Sequence, residues 1–325
     1  MTLNNSRIMT EPVFSDKLKK RLEDQQYRIV GNHSAVKVCS WTKKSLRDEG
    51  VCYKEKFYGI KCHRCMQMST YLTCANFCTF CWRDMSAPAH TEFQGEPDDP
   101  KLILDEAIRL NNKLLVGFPG YEKLNKEKYE ESKEPSQVAI SLTGEPIMYP
   151  KLQEFIELCH DRKKTTFVVA SGQFPEQMKS ITPTQLYLSV DAPNEELLKK
   201  IDRPVKENGW QNLLDSLDAL NEANDRTRTA IRITLINGLN MINPNQWAEL
   251  IERGSPLIVE VKAYMFVGSS RERLKKENMP YHKDIKAFAE EIAKHCDYKI
   301  VDEQEESRVV LMMRENNLEK RFIDS

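Results

Sequence analysis

Three cysteines stand at C-x3-C-x2-C spacing in Cys74-Ala-Asn-Phe-Cys78-Thr-Phe-Cys81. Thiolates are the ligands that iron–sulfur clusters use, and three so spaced can hold three irons of a 4Fe–4S cube. No fourth cysteine stands out as a partner, so the fourth iron is left open to a substrate. Two blander readings compete: three buried thiols brought near by chance, or a zinc site. Zinc usually takes four ligands in C-x2–4-C pairs, which fits this loop poorly. Upstream, Cys39, Cys52 and Cys65 recur at intervals of 13 residues. That spacing is unspecific by itself. They read as core residues, or Cys62 and Cys65 pair in a zinc site with His63 or His33. Lys54 lies two residues after Cys52. Taken alone it reads as a surface lysine beside Lys56 and Lys61.

These residues need elements to hold them. Residues 14–30 place Phe14, Leu18 and Leu22 at helical spacing and predict an amphipathic helix with a basic outer face. Residues 31–65 lack long apolar runs and read as an irregular lobe organised by metal. From about 66 the pattern becomes α/β. Strands are predicted over 66–73, 137–144, 165–172, 185–193, 228–238 and 256–268, and helices over 99–115, 149–163, 194–200, 207–223, 244–253 and 282–295. Such alternation means a parallel sheet. Six strands with right-handed crossovers form an open sheet or a partial barrel, and 297–316 reads as an appended β-hairpin.

In such sheets the chemistry gathers at the carboxyl ends of the strands. Cys74 follows the first strand, Gly144 and Glu145 the second, Ser171 and Gly172 the third, Asp191 the fourth, and Asn237 and Gly238 the fifth. Arg232 and Thr234 alternate along the fifth strand and are candidates to face the interior. Read alone, Thr143-Gly144-Glu145-Pro146 is a turn with helix N-cap chemistry, and Asp191 before Ala-Pro is turn chemistry too.

The 325 residues carry 48 basic and 49 acidic side chains, so no global nucleic-acid signal exists. The balance hides an asymmetry. Lys17 to Cys65 holds 13 Lys and Arg against 5 Asp and Glu, a net of +8, whereas Val301 to Ser325 holds 4 basic and 7 acidic residues. Positive charge is thus concentrated around the upstream cysteines, as a solvated helical face or as a site for a polyanion. Seven of the nine cysteines lie between Cys39 and Cys81, a density that points to metal rather than to a disulfide scaffold. The first 14 residues lack a charged-then-apolar signal pattern, and no membrane-length apolar run exists. A cytoplasmic protein with oxygen-sensitive clusters and no membrane partner is expected.

The C-x3-C-x2-C loop resembles the signature of the radical S-adenosylmethionine (SAM) enzymes. The resemblance implies that SAM chelates the open iron and is split reductively to a 5′-deoxyadenosyl radical. Thr143-Gly144-Glu145 resembles that family's G-G-E motif, with Thr143 in place of the first glycine. There, backbone groups and the carboxylate hold the ammonium of SAM. Ser171 sits where related enzymes have the Asn of a T-N-G that touches SAM, and Asp191 and Arg232 are further SAM-side candidates. The fold implied is a partial (β/α)6 TIM-like barrel of the radical SAM type.

The text around the cysteines narrows this further. HSAVKVCSWTKKSL (33–46), CYKEKFYGIKCHRCMQM (52–68), CTFCWR (78–83) and VEVKAYMFVG (259–268) resemble the archaeal tRNA 4-demethylwyosine synthases. The resemblance implies a second 4Fe–4S cluster on Cys39, Cys52 and Cys65, whose open iron binds pyruvate, and an imine between pyruvate and Lys54. Cys62 does not fit that ligand set. The implied activity is of the carbon–carbon lyase class: 1-methylguanosine, 3′ of the anticodon of phenylalanine tRNA, is condensed with pyruvate to 4-demethylwyosine. Two clusters, SAM and pyruvate are then required, together with a separate electron donor of ferredoxin or flavodoxin type. A monomer is expected, with residues 1–65 as a cluster-binding extension and 66–325 as the radical SAM core with its appendage. Lys37, Lys43, Lys44 and Arg47, with Trp41 interleaved, and Trp82 and Arg83 are candidate tRNA contacts. The rival readings are a radical SAM enzyme with a protein or small-metabolite substrate, and a non-catalytic iron–sulfur or zinc protein that binds RNA or carries electrons.

Overall fold

The computed structural model describes residues 15–83, 85 and 89–323. Helix α1 (Asp16–Asp24) is capped by Ser15, whose Oγ accepts from the Leu18 N–H at 3.4 Å, and it buries Leu18 and Leu22. It is shorter than the helix expected over 14–30, and Phe14 lies outside the described residues. Gln26 takes a left-handed conformation at φ 67° and turns the chain into strand β1 (Arg28–Val30). The stretch expected to be irregular, 31–65, is in fact built from β2 (Ser34–Lys37), α2 (Ser40–Ser45) and α3 (Tyr53–Tyr58). Ala35 and Val36, both fully buried, let so short a run add to the sheet. β1 pairs antiparallel with β2, and β2 antiparallel with β3 (Cys65–Ser69).

The α/β core then follows in the predicted order: α4 (Pro100–Leu115), α5 (Lys126–Ser132), β4 (Gln137–Ile140), α6 (Leu152–Asp161), β5 (Thr165–Ala170), α7 (Pro175–Lys179), β6 (Gln185–Ser189), α8 (Glu195–Ile201), α9 (Gly209–Glu222), β7 (Arg228–Leu235), α10 (Pro244–Gly254), β8 (Ile258–Ala263) and α11 (His282–Ala293). The expected C-terminal hairpin is β9 (Lys299–Gln304) with β10 (Val309–Met313), and α12 (Leu318–Arg321) ends the described chain. Helices α5 and α7 were not anticipated. Both are short, seven and five residues, with few apolar residues, and α5 is held by an Asn125 cap that accepts from the Lys128 N–H at 3.1 Å.

Strands β3 to β8 lie side by side in chain order and all pair parallel. Crossovers of one hand in unbroken order make such a sheet curl, which gives the partial (β/α)6 barrel. β10 pairs antiparallel with β8 and carries β9 at the edge. Outward-facing Val138, Ile140, Val168, Leu186, Leu188 and Ile231 are covered by the helices in one continuous core. The inward faces form a separate cluster of Phe167, Tyr187, Ala230, Ile258, Val309 and Leu311.

Helix α3 belongs to that inner cluster. Tyr53 and Phe57, four residues apart, share one face of the helix and with Tyr58 pack among the inward strand residues, so a piece of the N-terminal extension plugs the barrel. The C-terminus locks it there. The Arg321 guanidinium Nε donates to the Phe57 carbonyl at 3.1 Å, and the Ile323 N–H donates to the Tyr58 carbonyl at 2.9 Å.

Candidate active site at the mouth of the barrel

The cysteine loop leaves β3 and is tied down at several points. The Phe77 and Thr79 N–H groups donate to the carbonyls of Arg203 and Ile201 at 3.2 and 2.7 Å, and the Val205 N–H donates to Ala75 at 2.8 Å. From the segment after β8, Arg273 Nε donates to the Thr79 carbonyl at 3.0 Å and its Nη2 to the Cys81 carbonyl. The Ser269 N–H donates to Trp82 O at 3.1 Å. Cys74, Cys78 and Cys81 share one electrostatic neighbourhood. Burial pushes the Cys74 thiol up to about 12, with the Glu145 carboxylate adding to the rise and Arg83 opposing it. Burial likewise raises the Cys78 thiol, with Asp202, Cys81 and Cys74 reinforcing it. Thiols raised in this way, as Cys74 and Cys78 are, become thiolates against a cation, the service an iron cluster performs.

Glu145 lies beside this loop. Its backbone N–H donates to the Thr73 carbonyl at 2.6 Å, its Oε1 accepts from the Ser171 N–H at 3.2 Å, and the Cys74 thiol faces its Oε2 at 3.9 Å. Burial pushes the Glu145 carboxyl up to about 7, while the Ser171 N–H and the Lys206 and Arg83 cations hold it back. Gly144 has φ +73°, and a Cβ there would sit 2.1 Å from Tyr71 O. Its bareness therefore serves an approach between two loops of the protein itself. Asp191 accepts from the Thr234 N–H at 2.9 Å, and Arg232 Nη2 donates to Ser189 Oγ at 2.8 Å. Six buried side-chain polar atoms without a hydrogen-bond partner among the described residues belong to residues of this region: Thr143 Oγ1, Ser171 Oγ, Arg232 Nε, Arg83 Nε and Nη1, and Asp202 Oδ1. Buried donors and acceptors left open together fit a polar, zwitterionic ligand such as SAM.

The upstream cysteines converge as well. Burial pushes the Cys52 thiol up to about 12, with Cys39 adding to the rise and Lys54 and Lys262 opposing it. Cys65 is raised to about 12 for the same first reason, with Lys54 opposing and Cys39 and Cys52 adding. Cys62 is buried in the same neighbourhood and is raised by burial and by Cys52 and Cys65. The zinc alternative loses its histidines. His33 Nδ1 lies 2.6 Å from the Thr70 carbonyl and its Nε2 accepts from the Asp98 N–H at 3.0 Å, while His63 Nε2 lies 2.5 Å from Glu131. Lys54 is no surface lysine. Its Nζ sits 4.7 Å from the centre of the Phe167 ring and 5.0 Å from that of Tyr187, inside the barrel.

The candidate tRNA contacts divide. Lys44 is exposed over the Trp41 ring at 4.6 Å, Lys43 donates to Gln26 Oε1 at 2.8 Å, and Arg47 pairs with Glu49 at 2.6 Å. Lys37 is half-buried between the rings of Tyr27 and Trp82, at 4.5 and 5.8 Å. Trp82 is 37 % exposed, whereas Arg83 is only 6 % exposed and donates inward to the Asn76 carbonyl at 3.0 Å. Arg83 thus faces the cysteine loop, where the flanking turn folds it in. Sequence reasoning missed Glu260, Lys262 and Arg273. Glu260 and Lys262, two charged residues apart by two in an apolar strand, were the available signal that one face of β8 looks into a polar interior.

Against known proteins, the radical SAM superfamily model matches residues 68–251, and the model for wyosine base formation matches residues 253–314. The S-adenosyl-L-methionine-dependent tRNA 4-demethylwyosine synthase of Pyrococcus abyssi is 44 % identical over 95 % of this chain and 92 % of its own. That of Xenopus laevis is 42 % identical over 91 % of this chain and 40 % of its own. A solved structure of TYW1 with a lysine–pyruvate adduct bound superposes with a TM-score of 0.85 at 36 % identity, covering 96 % of this chain and 98 % of that one. Among the described residues no helix is long and apolar enough to cross a membrane. The chain belongs to the tRNA 4-demethylwyosine synthase family and is a radical SAM enzyme of wyosine formation, using SAM and an iron–sulfur cluster.

Proposed function

We propose that the protein condenses 1-methylguanosine, 3′ of the anticodon in phenylalanine tRNA, with pyruvate to give 4-demethylwyosine. One observation carries the reading: Lys54 rests on the Phe167 ring within electrostatic reach of the Cys52 and Cys65 thiols, which Cys39 also influences. The lysine–pyruvate adduct bound in the TYW1 structure supports the same role for Lys54. Cys74, Cys78 and Cys81 would hold one 4Fe–4S cluster and Cys39, Cys52 and Cys65 a second. When bound, the first supplies the electron that splits SAM and the second a Lewis-acidic iron for pyruvate.

The residues divide the remaining work. Glu145 and the Thr143-Gly144 backbone hold the ammonium of SAM, and Ser171, Asp191 and Arg232 line its other polar edges. The Lys54 amine adds to the ketone carbon of pyruvate and its two protons leave with the carbonyl oxygen as water. Phe167, Tyr187 and Phe57 keep bulk water from that lumen. The N1-methyl carbon, having lost one hydrogen atom, would bond to the former ketone carbon as the bond to the carboxylate breaks. The exocyclic amine would then displace the Lys54 nitrogen, freeing the lysine and closing the tricycle. Residues 1–65 act as the cluster-binding extension and 66–325 as the core. Lys37, Lys43, Lys44 and Arg47, with Trp41 and Trp82, form the tRNA footprint, and Arg83 is reassigned to the ligand side of the cysteine loop. The protein works as a cytoplasmic monomer with a ferredoxin- or flavodoxin-type donor. Anaerobic incubation with SAM, pyruvate, reductant and methylated tRNA, followed by nucleoside mass spectrometry, should replace 1-methylguanosine with the tricyclic base. An unaltered 1-methylguanosine peak from enzyme that cleaves SAM would sink the reading.

A further inference from the structure

Glu260 is fully buried in the barrel, yet no lysine or arginine donates to it among the described residues. Its hydrogen bonds come from three phenols. Tyr53 OH donates to Oε2 at 2.9 Å, and Tyr58 OH and Tyr187 OH donate to Oε1 at 2.5 and 3.1 Å. A carboxylate in such a place costs desolvation that an apolar residue would not, so packing alone does not account for it. Two cations stand near without bonding it: Arg232, its cross-strand neighbour on β7, and Lys262, two residues on, whose Nζ lies 5.4 Å over the Tyr53 ring.

What the three phenols have in common is Lys54. Tyr53 precedes it in α3, Tyr58 is one turn further along the same helix, and Tyr187 supplies one of the two ring faces under its ammonium. Among the described residues, Lys54 Nζ has no hydrogen-bond acceptor and no carboxylate partner; it lies against the Phe167 and Tyr187 rings, within electrostatic reach of the Cys52 and Cys65 thiols. We propose that Glu260 is a positioning residue for Lys54, tethering both the helix that carries the lysine and the ring on which its amine rests to one carboxylate. The role rests on the reading of Lys54 as the pyruvate-binding amine. Glu260 touches neither pyruvate nor the amine and acts through the tyrosines.

The test uses the reconstituted holoenzyme without tRNA or SAM, isotope-labelled pyruvate and borohydride. The amine forms a C=N bond as water leaves, and borohydride then adds a hydride to that carbon while water supplies a proton to nitrogen. Peptide mass spectrometry reads where and how fast label is trapped. In wild type, label appears on Lys54. In Glu260→Ala the trapping rate at saturating pyruvate falls about tenfold or more, the scale of a misplaced reactant, while half-saturation by pyruvate and the spectra of both clusters stay unchanged. Glu260→Gln, whose amide oxygen still accepts from a phenol, recovers most of the rate. Tyr187→Phe, which keeps the ring and removes the tether, falls between them. Wild-type trapping in Glu260→Ala would overturn the proposal, and if that variant does not fold, an unchanged rate in Tyr187→Phe overturns it instead. Label on Lys262, or on no lysine in wild type, would overturn the underlying reading of Lys54 and the proposal with it.

Discussion

Replacing Gly144 by alanine drives a methyl group into the backbone of the loop that leads to Cys74. The new Cβ would lie 2.1 Å from the Tyr71 carbonyl oxygen and 2.6 and 2.7 Å from the carbonyl carbon and Cα of Leu72. All three atoms are backbone, so no side chain can swing aside. Relief requires the Gly144 turn and the cysteine loop to part by roughly 1 Å, to reach ordinary carbon contact. The residue also sits at φ +73°, a left-handed conformation that costs a residue with a Cβ about 1 kcal/mol. Adding about 1–3 kcal/mol for overpacking gives a destabilisation of about 2–4 kcal/mol. The parting also breaks the Glu145 N–H bond to Thr73, and with it the alignment of Glu145 on Cys74. SAM affinity should therefore fall by at least about tenfold, equivalent to about 1.4 kcal/mol. Gly238→Ala is the control. It shares a positive φ, +76°, but a Cβ there meets nothing within 4 Å, so only the conformational cost of about 1 kcal/mol applies. Anaerobic urea titration and equilibrium dialysis with labelled SAM measure both variants. Equal stability losses in the two, with wild-type SAM binding in Gly144→Ala, would refute the reasoning.

Two further outcomes are expected. Lys43→Ala with Lys44→Ala should weaken tRNA binding and flatten the salt dependence by about one or two phosphate contacts; an unchanged slope in filter binding at several salt concentrations removes both from the footprint. His33 gives a pH signature. Burial, aided by Lys151 and only partly offset by the Thr70 carbonyl and Asp98, holds its imidazole below the usual value. As pH falls through about 6.5 the unfolded chain takes up this proton before the folded one does. Stability is then lost as pH falls below about 6.5, since the unfolded state binds more protons. His33→Gln should lower stability overall and remove that part of the slope, and a slope unchanged by the substitution contradicts the assignment.

The barrel was legible in the sequence because its strands are buried on both faces and its helices are amphipathic, so each element announces its own type. The cysteine loop stood out by its C-x3-C-x2-C spacing, and Glu145 by its resemblance to a G-G-E motif placed at a strand end. The extension was harder to read. Val30, Ala35 and Val36 are too few to mark strands until β3 offers them an edge, and the plug made by α3 depends on Tyr53, Phe57 and Tyr58 meeting residues more than a hundred positions away. Arg83 was expected as a tRNA contact beside the cysteine loop, and the hydrogen bond it donates to the Asn76 carbonyl turns its side chain inward, a long-range outcome that no local pattern marks. Glu260 is visible as a charge in an apolar strand, but its three tyrosines come from two distant elements and no local pattern joins them.

The central claim is that two cluster sites share one barrel and that only their combination makes the tricyclic base. Substituting Cys52 by alanine tests it most directly, with iron content, deoxyadenosine release and tRNA nucleosides measured on the same anaerobic sample. Iron should drop from about eight to about four per chain, one cube lost, with deoxyadenosine still formed from SAM and no 4-demethylwyosine in the tRNA. Tricyclic base made at the wild-type rate by an enzyme holding about four irons would contradict the account.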